Sequence, residues 1–326
     1  MTSNLVTGGA GLIGFEIARQ LLQRGDTVAL VDCFRKGGRQ DVAELTAKFG
    51  DRITAVEADL QEPRAFASPI ARRYDVVFHM AASVGVRYVN ENPYETAHNN
   101  LLATVHVADF ALAHGCGKIV YASSSENYAA GADLGIIPIP TPEAVLLTIA
   151  DPKLPRWSYA TGKIAGESLV LSMAHKHPIV PVVIRFHNVY GPRMRPTHVI
   201  PELVERVRRK TNPFPIYGSD NTRSFLHVDD AARAVILLGD KVQGPEIYNV
   251  GSADEVMISD VAGLIFEAAG FHPTVVKEPA PPGSVKRRAP DTAKLRALGF
   301  APQVSLREGI RQCLRADDGR AGWLNE

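Results

Sequence analysis

Through the first 186 residues, short unbroken apolar blocks alternate with longer stretches in which apolar positions recur every three or four residues. The blocks at Asn4–Thr7, Thr27–Asp32, Ile53–Val56, Asp75–Met80, Lys118–Ala122 and Ile179–Phe186 read as strands buried on both faces. Pro181 fits the last of these only near its start or on an edge. Ile13, Ile17, Ala18, Leu21 and Leu22 mark a helix that Gly25 stops. Helices are predicted again over Pro93–His114 and Tyr159–His175. Buried strands separated by helices imply a parallel sheet covered on both sides. The fold class expected is therefore α/β: a Rossmann-type doubly wound parallel sheet with a smaller, partly interleaved C-terminal domain.

After residue 186 the pattern changes. Prolines and arginines multiply between Gly191 and Gly218. Short strands are predicted near Arg223–Val228 and Ile247–Val250, and a helix over Ser259–Ala269. The five prolines between His272 and Pro290 predict an extended, irregular path. The domain reading is 1–186 for the sheet, with returning segments at about 225–250, and 187–326 for most of a second domain.

Composition narrows the function. Lys plus Arg is 36 and Asp plus Glu is 35 in a chain of 326 residues, so no general charge attracts nucleic acid. Cys33, Cys116 and Cys313 are scattered and odd in number, which argues for free thiols in a reducing, cytoplasmic setting. No uncharged apolar run is long enough to span a membrane, and no signal-peptide pattern is expected. The histidines form no recognised metal-ligand set, so no metal is expected.

Chemistry begins at Thr7-Gly8-Gly9-Ala10-Gly11-Leu12-Ile13-Gly14, between the first strand and the first helix. Gly8 suits a tight turn, Gly11 lets a pyrophosphate approach backbone N–H groups, and Gly14 lets the helix lie close to the sheet. Asp32 closes the second strand, where a carboxylate accepts hydrogen bonds from an adenosine ribose and repels a 2′-phosphate. That favours NAD over NADP, although Arg35 and Lys36 stand nearby. Asp59 and Leu60, after the third strand, are positioned to touch the adenine, and Asp59 reads equally well as a helix cap.

Tyr159 and Lys163 are four residues apart and share a helix face. A neighbouring ammonium and the positive nicotinamide both favour phenolate, which lets Tyr159 take a proton from a sugar hydroxyl while the carbon gives up hydride. Lys163 would also hold the nicotinamide ribose. The serine run Ser123-Ser124-Ser125 follows the fifth strand, at the end of a doubly wound sheet where ligands bind. Glu126 next to it is either a proton-transferring carboxylate or a solvent-facing acid.

These pieces together resemble the extended short-chain dehydrogenase/reductase family, in its nucleotide-sugar epimerase, dehydratase and decarboxylase branch. The matching segments are TGGAGLIG (Thr7–Gly14), HMAA (His79–Ala82), Asn100, YASSSENY (Tyr121–Tyr128), YATGK (Tyr159–Lys163), RFHNVYGPR (Arg185–Arg193), TRSFLHVDD (Thr222–Asp230) and RRAPD (Arg287–Asp291). The resemblance implies Ser125 as catalytic hydroxyl, Tyr159 as base and Lys163 as its partner. It puts Ala81, Ala82 and Asn100 on the NAD side. It implies that Asn188, Arg223 and Arg288 hold a sugar-nucleotide diphosphate and that Val199 lies against the base. Val84, Gly85 and Arg87 would line the sugar pocket together with Ser124. It also implies a homodimer joined through a four-helix bundle of the Pro93–His114 and Tyr159–His175 helices.

The chain departs from the family in four places. Ala129 stands where glycine is usual, Asn127 where valine or leucine is usual, and Gly162 where serine is usual. The proline-rich stretch from Gly131 to Trp157 is long and would shape the sugar pocket or form a lid. All reactions of the branch begin by oxidising C4 of the sugar. A 4-epimerase returns hydride to the other face, and that is the function expected. Ser125-Glu126 resembles the pair of uronate decarboxylases, and a 4,6-dehydratase is the further alternative. A non-catalytic NAD-binding protein would be expected to lack the tyrosine or lysine.

Overall fold

The computed structural model describes residues 1–280 and 285–316. The chain forms two compact units. The first comprises residues 1–127, 149–186 and 232–248; the second comprises 128–148, 187–231 and the described residues from 249 onward.

The first unit is built on strands β1 (Ser3–Thr7), β2 (Thr27–Asp32), β3 (Ile53–Glu57), β4 (Val76–His79), β5 (Lys118–Ser124) and β6 (Val180–Phe186). With the strand Glu246–Val250 they make a seven-stranded sheet in the order Glu246–Val250, β6, β5, β4, β1, β2, β3. Neighbours from β3 through β6 pair in parallel. The order runs outward from β1 in both directions, so the first crossover reverses between β1 and β4. In such sheets a ligand crevice opens at the carboxyl ends of those strands. Pro181 is the second residue of β6, opposite Ile119, where a missing N–H is tolerated.

The first helices along the chain are α1 (Leu12–Arg24), α2 (Arg39–Phe49), α3 (Val86–Glu91), α4 (Pro93–Ala113), α5 (Ala129–Asp133) and α6 (Trp157–Ser172), of which α5 belongs to the second unit. Gly25 ends α1, its N–H bonding back to Leu21 and Leu22. Val107, Phe110 and Ala111 of α4 and Val170 of α6 bury against Leu5, Val31, Val77 and Ile119 of the sheet. Each of these Val, Leu, Ile and Phe side chains contributes about 1.5–3 kcal/mol when fully buried.

His79 ends β4 and is 1% exposed. Its ring lies between the Thr7 hydroxyl at 2.8 Å and the Thr104 hydroxyl at 3.2 Å. Burial, with the Lys163 charge adding to it, pushes its pKa down to about 3, so the ring is neutral. The unfolded chain takes up this proton near pH 6.5 and the folded one does not. Stability contributed by neutral His79 is therefore complete above that pH and falls as pH drops toward 3. Acidification from pH 7 to pH 5 is expected to remove about 2 kcal/mol through this ring alone. Urea titrations of the wild type and of His79→Asn at both pH values check this: the variant should lose that much less stability on acidification.

The second unit has its own core. Ile200, Leu203 and Val204 of the helix Val199–Arg208 pack with Phe214, Val261, Ile265 and Ile310. A three-stranded sheet places Thr222–Ser224 between Glu255–Met257 and Arg287–Arg288. Within the stretch expected to be irregular, Val275–Glu278 forms a strand parallel to Phe214–Tyr217; residues 281–284 of that stretch lie outside the described residues. The second unit's part of the 131–157 stretch is bonded into its unit. The Thr141 N–H donates to Ala289 O at 2.9 Å, and Thr141 O accepts from Asp291 and Asn249. Thr141 is thereby bonded to two other segments of its unit.

Candidate active site

The β1–α1 turn is compressed in the way a dinucleotide loop requires. Gly8 sits at φ +67°, and a Cβ on it would lie 2.6 Å from Ala81 N. A Cβ on Gly14 would lie 2.2 Å from Gly8 O. The helix start stays accessible: Gly11 is exposed and Leu12 and Ile13 are half-buried. Backbone N–H groups are thus presented at the positive end of α1, which suits a pyrophosphate. Asp32 accepts from Ala10 N at 3.0 Å and from Phe34 N at 2.8 Å, one bond per carboxylate oxygen. Each oxygen keeps further acceptor capacity for a ribose hydroxyl. Arg35 pairs with Asp59, and Lys36 donates to Val84 O at 3.0 Å, so both nearby cations are engaged. Asp59 also accepts from Gln61 N at 3.1 Å, a turn bond rather than a helix cap, since the 3-10 helix Pro63–Phe66 starts after Glu62 with no side-chain cap. Leu60 is buried. Asn100, 3% exposed, grips Ser83 at both its N–H (2.6 Å) and its carbonyl (3.1 Å). It thereby fixes the loop that carries Ala81 and Ala82. The residues present fit a dinucleotide.

β5 runs two residues beyond its expected end, which carries Ser123 and Ser124 to the carboxyl edge of the sheet. A short 3-10 turn, Ser125–Tyr128, follows. α6 begins at Trp157 and brings Tyr159 and Lys163 onto one face, as their spacing predicts. Tyr159 is half-buried, and the Ser124 hydroxyl faces its phenol. Lys163 is 2% exposed; its ammonium donates to Ala122 O at 2.6 Å and lies 5.9 Å from the centre of the Tyr159 ring. Burial pushes Tyr159 up to about 12, the Ser124 hydroxyl works the other way, and the Glu126 charge adds to the rise. Burial also pushes Lys163 down to about 7, opposed by the Glu167 carboxylate. Desolvation therefore outweighs the mutual help expected of the pair, and the phenolate needs a further positive charge.

The hydroxyl that meets Tyr159 is Ser124, which the sequence placed among the sugar contacts. Ser125, expected to be the catalytic hydroxyl, opens the next turn and is 3% exposed. Glu126 stands by this cluster, and the Arg156 guanidinium reaches it at 3.8 Å. Arg156 in turn lies 4.6 Å over the Trp157 ring, a cation–π contact that fixes its direction. Sequence reasoning missed Arg156; the signal available was an arginine and a tryptophan just before the tyrosine. Arg87, proposed for the sugar, pairs with Glu91 at 2.9 Å on the open surface of α3. Val84 is exposed, and Gly85 precedes α3 at φ +118°.

In the second unit, Arg223 and Arg288 are register partners on adjacent parallel strands, so both side chains leave the same face. Arg223 also donates to Thr222 O at 2.7 Å and Val285 O at 2.6 Å, which fixes its guanidinium. Arg287, one residue along, takes the other face and pairs with Glu255 at 2.8 Å. The basic run is thus divided, one arginine spent on an internal ion pair and one set beside Arg223. Asn188, at φ +34°, donates to Ser224 O at 3.0 Å. Val199 opens its helix.

A model of the NAD dependent epimerase/dehydratase family matches residues 4–251. The chain is 33% identical over 323 residues to a UDP-N-acetyl-alpha-D-glucosaminuronate decarboxylase of Bacillus cytotoxicus, covering 95% of this chain and 96% of that one. Among solved structures it is similar to the UDP-glucose 4-epimerase of Thermus thermophilus in complex with NAD, at TM-score 0.80 and 30% identity over 96% and 98% of the two chains. It is also similar to the dTDP-glucose 4,6-dehydratase DesIV of Streptomyces venezuelae with NAD bound, at TM-score 0.85 and 27% identity over 98% of each. The chain belongs to the extended short-chain dehydrogenase/reductase family of NAD-dependent epimerases and dehydratases acting on nucleotide sugars.

Proposed function

We propose that this protein is a nucleotide-sugar 4-epimerase that retains NAD between half-reactions. The observation that carries this is the Ser124–Tyr159–Lys163 cluster at the carboxyl edge of the sheet, next to a loop that fits a dinucleotide. NAD⁺ held there would supply the hydride acceptor and a positive charge that favours the Tyr159 phenolate. Tyr159 Oη takes the proton of the C4 hydroxyl, and Ser124 Oγ steadies that oxygen by hydrogen bonding. Lys163, held by Ala122 O, keeps a cationic or proton-donating nitrogen behind the phenol. After the ketosugar turns over, hydride would return to the other face of C4 while Tyr159 gives the proton back to its oxygen. Asp32, with Arg35 and Lys36 engaged elsewhere, supports NAD rather than NADP.

The remaining assignments are proposals of the same kind. Asn188, Arg223 and Arg288 hold the diphosphate, guanidinium forks being suited to its oxygens. Val199 lies against the base, and Val84 and Gly85 line the sugar. Two copies associate through α4 and α6; Tyr94 and Leu101 of α4 are exposed apolar side chains available for it.

One observation favours a second reading. A 4-epimerase needs no carboxylate beside its tyrosine, yet Glu126 stands there with Arg156. A uronate substrate would use them, because a C4 ketone makes its carboxylate a β-keto acid that loses CO₂. The deciding experiment incubates the NAD-loaded protein with UDP-, GDP- and dTDP-sugars, neutral and uronate, and follows product mass and NMR couplings. Unchanged mass with altered couplings at C4 is expected. Loss of CO₂ would establish the decarboxylase reading and loss of water a dehydratase; no change with any sugar would overturn all three.

A further inference from the structure

Beneath the reacting groups lies a cluster of polar side chains that the proposed chemistry does not use. Glu167 follows Lys163 by one turn of α6 and is 3% exposed. Its Oε1 accepts from three donors on three different segments: Ser123 Oγ of β5, Asn127 Nδ2 at 2.8 Å from the turn, and Arg185 Nε at 2.9 Å from β6. Its Oε2 accepts from Arg185 Nη2 at 2.6 Å. Asn127 Nδ2 also donates to Ser123 Oγ at 3.1 Å. Asn127 is wholly buried. Both of its amide hydrogens are therefore used, and its orientation is settled, since an ionised carboxylate only accepts. The other end of the amide, Oδ1, is buried with no hydrogen-bond partner among the described residues.

That orphaned oxygen makes the amide a poor choice for stability alone. An apolar residue would fill the site without leaving a carbonyl unpaired. Asn127 also stands where the resembling family has valine or leucine. What the amide achieves is geometric. Ser123 and Asn127 bracket Ser124-Ser125-Glu126, and one carboxylate oxygen holds both ends of the bracket to the helix that carries Tyr159. Ser124 Oγ is further set by accepting from Glu126 N at 3.2 Å.

We propose that Asn127 is a positioning residue: with Ser123 it staples the Ser124–Glu126 turn to Glu167, and so sets where the Ser124 hydroxyl and the Glu126 carboxylate stand against Tyr159. The groups that face the phenol are Ser124 and Tyr121 from β5, Glu126 from the turn and Lys163 from its own helix, with Arg156 paired to Glu126. Only the β5 edge and the turn are held by the staple. Loosening it withdraws the Ser124 hydroxyl, the neighbour that favours phenolate.

The test uses full-length protein loaded with NAD and labelled with tyrosine carrying ¹³C at Cζ; the Tyr159 signal is the one absent from Tyr159→Phe. Asn127→Val removes both bonds at similar volume. It is expected to raise the Tyr159 titration midpoint by about one pH unit and to lower kcat on UDP-galactose about tenfold, while KM and NAD content change less than about twofold. Asn127→Asp keeps the shape and sets a second carboxyl against Glu167. Its kcat should approach the wild type at low pH, where that carboxyl is protonated and can donate to Glu167, and fall toward that of Asn127→Val once it ionises; its Tyr159 midpoint, read at high pH, should match Asn127→Val. An unchanged Tyr159 midpoint and unchanged kcat in both variants, with only the melting temperature moved, would show a merely structural role and overturn the proposal. If Asn127→Val does not fold, the pH dependence of Asn127→Asp decides alone. The kinetic arm rests on the proposed epimerase reading; the tyrosine titration needs no substrate, so a wild type inactive on UDP-galactose sinks that reading and leaves this one to be judged by NMR.

Discussion

Tyr159→Phe is expected to lower turnover of the true nucleotide sugar by about 10³-fold or more, with NAD content and melting temperature nearly unchanged. General acid–base groups contribute roughly 10²–10⁴-fold. Here the phenol also begins the reaction, since C4 cannot release hydride while its hydroxyl keeps the proton. The substitution removes one oxygen from a half-buried ring and leaves its packing in place. Single-turnover mixing, following reduction of bound NAD by absorbance, checks this separately from product release. Turnover within tenfold of the wild type would mean that another group takes the proton.

Gly14→Ala should have the second largest effect, through binding rather than chemistry. The added Cβ would lie 2.2 Å from Gly8 O and 3.1 Å from Gly9 Cα, both backbone atoms. Neither can swing away as a side chain would. The turn must open, and Gly8 is itself confined by Ala81. Overpacking of this kind costs about 1–3 kcal/mol. Loss of retained NAD after gel filtration, with a melting temperature lowered by several degrees, is the expected result. Gly263→Ala is the matched control. It lies in the middle of the helix Ile258–Ala269, its Cβ would meet nothing within 4 Å, and it should be neutral or slightly stabilising.

These two residues were legible in the sequence because their surroundings are local. The turn and the strands beside it are near-continuous apolar runs, and a spacing of four on a helix needs no tertiary knowledge. α2 escaped notice because only Val42 and Leu45 of its eleven residues are buried, too few to set a period. Val275–Glu278 escaped because it is mostly exposed and lies in proline-rich sequence, where strand pairing rather than burial creates the element. The serine run shows the limit most clearly. Three adjacent hydroxyls cannot be ranked from sequence; where β5 ends decides which of them meets Tyr159. Glu167 reads in the sequence as an ordinary helical acid, and only the arrival of Ser123, Asn127 and Arg185 reveals why it tolerates burial. The resemblance singled out Arg288 from its basic neighbours, but the physical reason, strand register that sets Arg288 beside Arg223 and Arg287 on the other face, is not legible in the sequence.

Tyr159, Ser124, Lys163 and the glycine loop are all carried by the first unit, whereas Arg223, Arg288 and Asn188 are carried by the second. On those assignments, the machinery that moves electrons and the surface that chooses a cargo are two separable pieces, the second gathered from three stretches of chain. A chimera that exchanged the second piece for that of a cousin with another appetite would then change which sugar is accepted while leaving the chemistry done to it intact.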